Sequence, residues 1–181
     1  MTDTLLIKKR LPSSTFKTRL MDESSNNIAD YVWKDVTTKE LFGDIRAILF
    51  SLPGAFTPTC TTFQLPGFDR LYRKFQEHGI AKVYCLSVND AFVMNAWAKS
   101  LNISNVEMLP DGSGEFTRKM GMLVKKDNLG FGMRSWRYAA IANDGIIEAL
   151  FVECGFSDNC RIDPYTETTP ENLLAYLNGK I

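Results

Sequence analysis

The sequence predicts an α/β fold in which helices pack on a mixed central sheet entered through an N-terminal β-hairpin. Three observations predict it. From Ile45 to Met120, apolar runs of strand length alternate with amphipathic helical stretches, the pattern of parallel strands joined by helical crossovers. Asn143-Asp144-Gly145 then separates two further apolar runs, a hairpin signal that brings antiparallel strands into the sheet. Thr15–Met21 and Ile28–Trp33 alternate loosely around the polar stretch Asp22-Glu23-Ser24-Ser25-Asn26-Asn27, a second hairpin at the N-terminus.

The elements follow in order. Thr37 to Gly43 reads as a short helical turn closed by glycine. Ile45–Leu52 is a buried strand. Phe68, Leu71, Tyr72 and Phe75 recur at i, i+3, i+4, i+7 and Gly79 stops them, so an amphipathic helix follows. Pro66-Gly67 falls in its early part, and a proline there removes a backbone bond, so the first turns are expected to kink or split. Lys82–Val88 is the second strand, Val93, Ala96, Trp97 and Leu101 mark the next helix, Val106–Leu109 a short strand and Glu115–Met120 a short helix. Arg137–Ala142 and Ile146–Glu153 flank the Asn-Asp-Gly turn. Thr169-Pro170 opens a final helix whose apolar face is Leu173, Leu174 and Leu177, with proline suited to its first turn. There are no repeats and no low-complexity linker, so residues 1–181 read as a single domain.

Composition narrows the function. The chain carries 21 basic and 21 acidic residues, a formal net charge of zero, which argues against nucleic acid as a partner. No apolar run approaches the length of a membrane span, and the N-terminus lacks the charge-then-apolar order of a secretory signal. The protein therefore reads as cytoplasmic, with no membrane partner. Four cysteines, Cys60, Cys85, Cys154 and Cys160, and one histidine, His78, give neither a disulfide scaffold nor the spacing of a metal site. His78, just before Gly79, reads as a surface residue at a helix end.

The chemistry gathers in Gly54-Ala55-Phe56-Thr57-Pro58-Thr59-Cys60, the turn that leaves the first central strand. In open α/β sheets ligands bind beyond the C-terminal ends of parallel strands. Cys60 falls there, at the start of the crossover helix, where unpaired N–H groups and the helix field stabilise a thiolate. A Cys-x-x-Cys pair would need cysteine at position 57, which is Thr57. A hydroxyl forms no disulfide, but it can hold the sulfur and orient an incoming oxygen, and it also suits a helix N-cap. Pro53 stiffens the turn and offers apolar surface that keeps water off the sulfur.

Pro53 to Cys60 followed by Leu65-Pro66-Gly67-Phe68, together with Ser87 to Met94, Asp111 to Phe116 and Arg134-Ser135-Trp136-Arg137-Tyr138, resembles the peroxiredoxin family. The likeness is to its type II (atypical) branch, which includes plant type II enzymes and the peroxiredoxin half of bacterial peroxiredoxin–glutaredoxin fusions. It runs from about residue 12 to the C-terminus. It implies a thioredoxin-like fold and a thiol-dependent peroxidase that reduces hydrogen peroxide and alkyl hydroperoxides with no cofactor, neither metal nor haem. It implies that Cys60 is the peroxidatic cysteine, that Thr57 hydrogen-bonds to the sulfur and the peroxide, that Pro53 shields it and that Arg137 is the active-site arginine, with Arg134 a neighbouring competitor. Homodimers are common in the branch, and Phe56, Phe92 or Trp97 are the contact candidates.

Oxidised Cys60 becomes a sulfenic acid that a second thiol must reduce. Cys85 matches the second cysteine of the plant enzymes, but three residues from its strand end it lies about 10 Å below the rim, far for a disulfide. Cys160 lies near the resolving position of the mammalian atypical enzyme. The leading expectation is reduction by glutathione and glutaredoxin. The alternatives are a two-cysteine peroxidase using Cys85 or Cys160 with thioredoxin, and a redox sensor or relay.

Overall fold

The computed structural model describes residues 6–21 and 31–180. β1 (Thr15–Met21) and β2 (Tyr31–Thr37) form an antiparallel pair apart from the main sheet. The second strand runs four residues beyond the expected end at Trp33, and the polar stretch from Asp22 lies outside the described residues. β2 stops because Thr37 turns it into α1 (Thr38–Phe42) through a capping box: Thr37 Oγ1 accepts from Glu40 N–H, and the Glu40 carboxylate accepts from Thr37 N–H. Two backbone donors at the helix start are thereby satisfied.

The central sheet contains β3 (Arg46–Ser51), β4 (Lys82–Ser87), β5 (Glu107–Pro110), β8 (Tyr138–Asn143) and β9 (Ile146–Val152), in the order β5-β4-β3-β8-β9. β3, β4 and β5 are parallel, and β8 and β9 run antiparallel, which is the mixed thioredoxin-like sheet expected. The crossovers are α2 (Leu65–Glu77) and α3 (Ala91–Ser100), and α4 (Glu115–Lys119) follows β5. Asp144 and Gly145, with φ of 46° and 70°, make the tight turn between β8 and β9 that paired left-handed residues allow.

β6 (Leu123–Lys125) and β7 (Met133–Ser135) form a small antiparallel pair around a 3-10 turn at Asp127–Leu129. The sequence reading missed this pair, because three-residue strands are too short to show alternation. α5 (Pro170–Leu177) closes the fold, with Thr169 Oγ1 accepting from Asn172 N–H at its start.

Strand side chains alternate between two cores. Ala47, Leu49, Tyr84, Leu86, Tyr138 and Ala140 point to one face, where they meet Phe16, Phe42, Phe116 and Trp136. Ile48, Phe50, Val83, Cys85, Ala139 and Ile141 point to the other, beneath Phe68, Phe75, Trp97 and Leu173 from the helices. α2 lies close to α5 because residue 67 is glycine: a Cβ there would stand 3.1 Å from Pro170 Cγ. Among the described residues no helix is long and apolar enough to cross a membrane.

The expected break at Pro66-Gly67 is not where the helix yields. Cys60–Gln64 form a π turn that runs directly into α2, with Leu65 N–H donating to Cys60 O. Pro66 has no N–H, and the helix absorbs that loss by widening upstream of it.

Candidate active site

Cys60 opens the π turn and is fully buried in the core under α2. It follows a turn held by its neighbours. Ala55 N–H donates to Asn89 Oδ1 (3.0 Å), and Ser87 Oγ donates to the same oxygen (2.7 Å). Phe56 takes a φ of 63°, a region that costs a bulky residue energy and marks a constrained turn. Pro53 and Gly54 are buried.

Thr57 Oγ1 donates to Gly54 O at 2.8 Å. Its one proton is therefore committed to the turn and not to the Cys60 sulfur. The hydroxyl oxygen retains acceptor capacity.

Arg137 reaches the sulfur from the residue just before β8, the neighbour of β3, since that strand starts at Tyr138 and not at Arg137 as expected. Tyr138 belongs to the core opposite Cys60, so the period of two aims residue 137 at the face that carries Cys60. Arg137 Nη1 donates to Cys60 Sγ at 3.3 Å and also to Gln64 Oε1. Arg137 Nη2 pairs with Asp163, and Nε donates to Pro164 O at 2.9 Å. The Tyr165 ring lies 5.5 Å from the guanidinium carbon. Arg137 itself is 1% exposed. Burial alone would weaken its charge, but the nearby Cys60 sulfur and Asp163 outweigh that and hold it firmly protonated.

Arg134 does other work. Its Nη1 donates to Val88 O and its Nε to Phe131 O, both at 3.0 Å. It ties β7 to the end of β4, and burial lowers its pKa.

Gln64 and Asp163 complete the constellation, and sequence reasoning assigned neither a role. Gln64 follows Cys60 by four positions on a helix, a spacing that could have flagged it. Gln64 Nε2 is a buried donor with no acceptor among the described residues. Asp163 left no local signal, because its loop is placed by tertiary contacts. There the Glu153 carboxylate accepts from the N–H groups of Thr166, Glu167 and Thr168.

The four cysteines are free. Cys85 is fully buried in the same core as Cys60. Burial, and then the neighbouring Cys60, push its thiol well up, so it is held neutral. Cys154 is exposed. Cys160 is half-buried and lines a groove of about 370 Å³ with Pro53, Thr57, Pro58 and Asp163. Of the three contact candidates, Trp97 is 0% exposed and donates its indole N–H to Thr61 Oγ1. It is a core residue, which corrects the expectation, whereas Phe56 and Phe92 are exposed. His78 ends α2, and its carbonyl accepts from Arg46 Nη1.

The Redoxin family profile matches residues 23–157. A peroxiredoxin of Rhizobium etli is 60% identical over 97% of this chain and 98% of its own length. The chain belongs to the peroxiredoxin family. The hybrid peroxiredoxin hyPrx5 of Haemophilus influenzae is 44% identical over 93% of this chain, which spans 65% of that longer protein. Among solved structures, the Plasmodium falciparum antioxidant protein, a 1-Cys peroxiredoxin, superposes with a TM-score of 0.89 at 34% identity, covering 95% of this chain and 99% of its own. As a peroxiredoxin, the protein is a thiol-dependent peroxidase, and the type II likeness read from its motifs stands.

Proposed function

We propose that Cys60 is the peroxidatic cysteine of this peroxiredoxin, reducing hydrogen peroxide and alkyl hydroperoxides, and that glutathione with glutaredoxin regenerates it. The observation that carries this reading is the Arg137 Nη1 to Cys60 Sγ contact of 3.3 Å. A buried guanidinium against a sulfur favours the thiolate. The thiolate attacks the terminal peroxide oxygen, so an S–O bond forms as the O–O bond breaks. The sulfur is oxidised by two electrons to sulfenic acid. The departing alkoxide or hydroxide takes up the proton lost when the thiol ionised and leaves as alcohol or water. Thr57 Oγ1, its own proton held by Gly54 O, accepts from the peroxide O–H. Arg137 and the unpartnered Gln64 Nε2 offer donors for the charge that develops on oxygen. Pro53 shields the sulfur.

The state of Cys85 supports an external reductant. A thiol held neutral by burial is a poor nucleophile, and pairing it with Cys60 would open the core they share. A small thiol avoids that opening, and its mixed disulfide is removed by thiol exchange. A second reading, a two-cysteine peroxidase resolved by Cys160 and reduced by thioredoxin, is favoured by the place of Cys160 in the groove beside Thr57. We also read the chain as one domain that acts in the cytoplasm as a homodimer, and the exposed Phe56 and Phe63 beside the site support a contact there.

The test compares peroxide turnover with glutathione–glutaredoxin and with thioredoxin in the parent, Cys60→Ser, Cys85→Ser and Cys160→Ser proteins. Cys60→Ser is expected to be inactive, and the other two to retain glutathione-dependent activity close to the parent. Peptide mass spectrometry after one equivalent of peroxide should find glutathione on Cys60. A dominant Cys60–Cys160 linkage with loss of turnover in Cys160→Ser would establish the second reading instead.

A further inference from the structure

The groove beside the site is lined by Lys126, a residue that the reaction above does not use. Lys126 is 3% exposed, yet among the described residues its ammonium has no hydrogen bond or ion pair. It sits over the Trp136 ring, 5.1 Å from Nζ to centroid. A ring face attracts a cation but leaves its N–H donors without conventional acceptors, and buried lysines are ordinarily paired. The backbone that carries it is held by three hydrogen bonds. Lys126 N–H donates to Gly132 O at 2.8 Å, and Lys126 O accepts from Leu129 and Phe131 N–H at 3.1 Å each. The hairpin closes around that one residue.

Lys126 lines the same groove as Pro53 and Thr57. Arg161, Ile162 and Asp163 line it as well, and Leu129 and Phe131 extend the apolar surface. Leu129 and Ile162 are 55% and 62% exposed, apolar side chains in the open at the mouth of a polar site. The groove's one carboxylate, Asp163, is engaged by Arg137. The remaining charges, Lys126 and Arg161, are both positive.

We infer that this groove selects hydroperoxides carrying a carboxylate on an apolar chain, with Lys126 holding the carboxylate and Leu129, Phe131 and Ile162 covering the chain while the peroxide end reaches Thr57 and Cys60. The inference rests on the proposed role of Cys60 and adds a specificity residue to it. A fatty-acid hydroperoxide fits both the charge and the apolar lining. Glutathione, with an ammonium group and two carboxylates, would leave the apolar wall uncovered and find Asp163 already occupied.

The test measures single-turnover oxidation of the reduced protein, without any reductant, by a fatty-acid hydroperoxide and by its methyl ester, both below micelle-forming concentrations. The parent is expected to oxidise about tenfold faster with the acid, as for one charge-assisted hydrogen bond, and added salt should reduce the preference. Lys126→Met should bring the acid-to-ester ratio towards one and Lys126→Arg should keep it. The ratio within each protein cancels any general loss from folding, and the salt series on the parent needs no variant. A parent ratio of one, or an equal ratio in parent and Lys126→Met, overturns the inference. So does a Lys126→Met defect confined to reduction by glutathione and absent with a thiol lacking carboxylates, which would assign the lysine to the reductant. Failure of the Cys60 reading is distinct: it would appear as ester reduction persisting in Cys60→Ser.

Discussion

Arg137 is a charge surrounded by protein, and its substitution separates two arginines that the sequence left side by side. Arg137→Ala removes the cation at 3.3 Å from Cys60 Sγ and leaves Asp163 and Gln64 without their partner. Peroxide-dependent kcat/KM is expected to fall by about a hundredfold, the order seen when one transition-state donor is lost. Alkylation of Cys60 by iodoacetamide at neutral pH should slow with it. Arg134→Ala loses two bonds to carbonyls and should instead destabilise the fold, by about 1–2 kcal/mol, with alkylation nearly unchanged. Urea midpoints beside alkylation rates distinguish the two outcomes. Thr57 gives a finer case. Thr57→Val keeps the shape and loses the acceptor, so kcat/KM should drop about tenfold, while Thr57→Ser should retain most activity. That Cys60, Thr57 and Pro53 share one turn at a helix start was legible because these positions are contiguous in the chain. The direction of the Thr57 hydrogen bond was not, because it depends on how Gly54 folds back towards it.

At the scale of elements, the segment after β9 has little regular structure, yet it positions Asp163. Its anchor is Glu153, which accepts from five donors on Thr166, Glu167 and Thr168. Burial works to raise the Glu153 pKa, but the N–H and hydroxyl donors outweigh it and hold the carboxyl below its ordinary value of 4.5. The unfolded chain then binds that proton more tightly than the native one. The contribution to stability is full above the ordinary value and is lost as pH falls through the native value. Glu153→Gln cannot accept with both oxygens and should cost about 1–3 kcal/mol. The parent-to-variant difference in urea midpoint should be largest near neutral pH and shrink on acidification below 4.5. A constant difference would assign the loss to packing. Nothing local in the sequence announces this anchor, since its donors follow 13 to 15 positions later. The helices, by contrast, were readable: Phe68 and Phe75 mark α2, and Thr169-Pro170 marks the start of α5.

For the whole molecule, one sheet serves both cores, so neither face can be lost while the other persists. Trp136 is buried on one side and Trp97 on the other. Urea unfolding followed through Trp97→Phe and Trp136→Phe variants should give each protein one transition that coincides with its far-UV circular dichroism. Separate transitions within one variant would divide the chain into two units and contradict the single-domain reading. The sheet was foreseen because buried strands and the Asn-Asp-Gly turn carry their signals locally, whereas β6 and β7, at three residues each, were too short to show alternation. The π turn at Cys60–Gln64 has a consequence for anyone grafting this chemistry onto another scaffold. An α-helix advances about 100° per residue, so winding the same residues from Cys60 to Leu65 as a regular α-helix would turn the sulfur by about that angle relative to α2, out of phase with its arginine. The cysteine is portable only together with its widened turn.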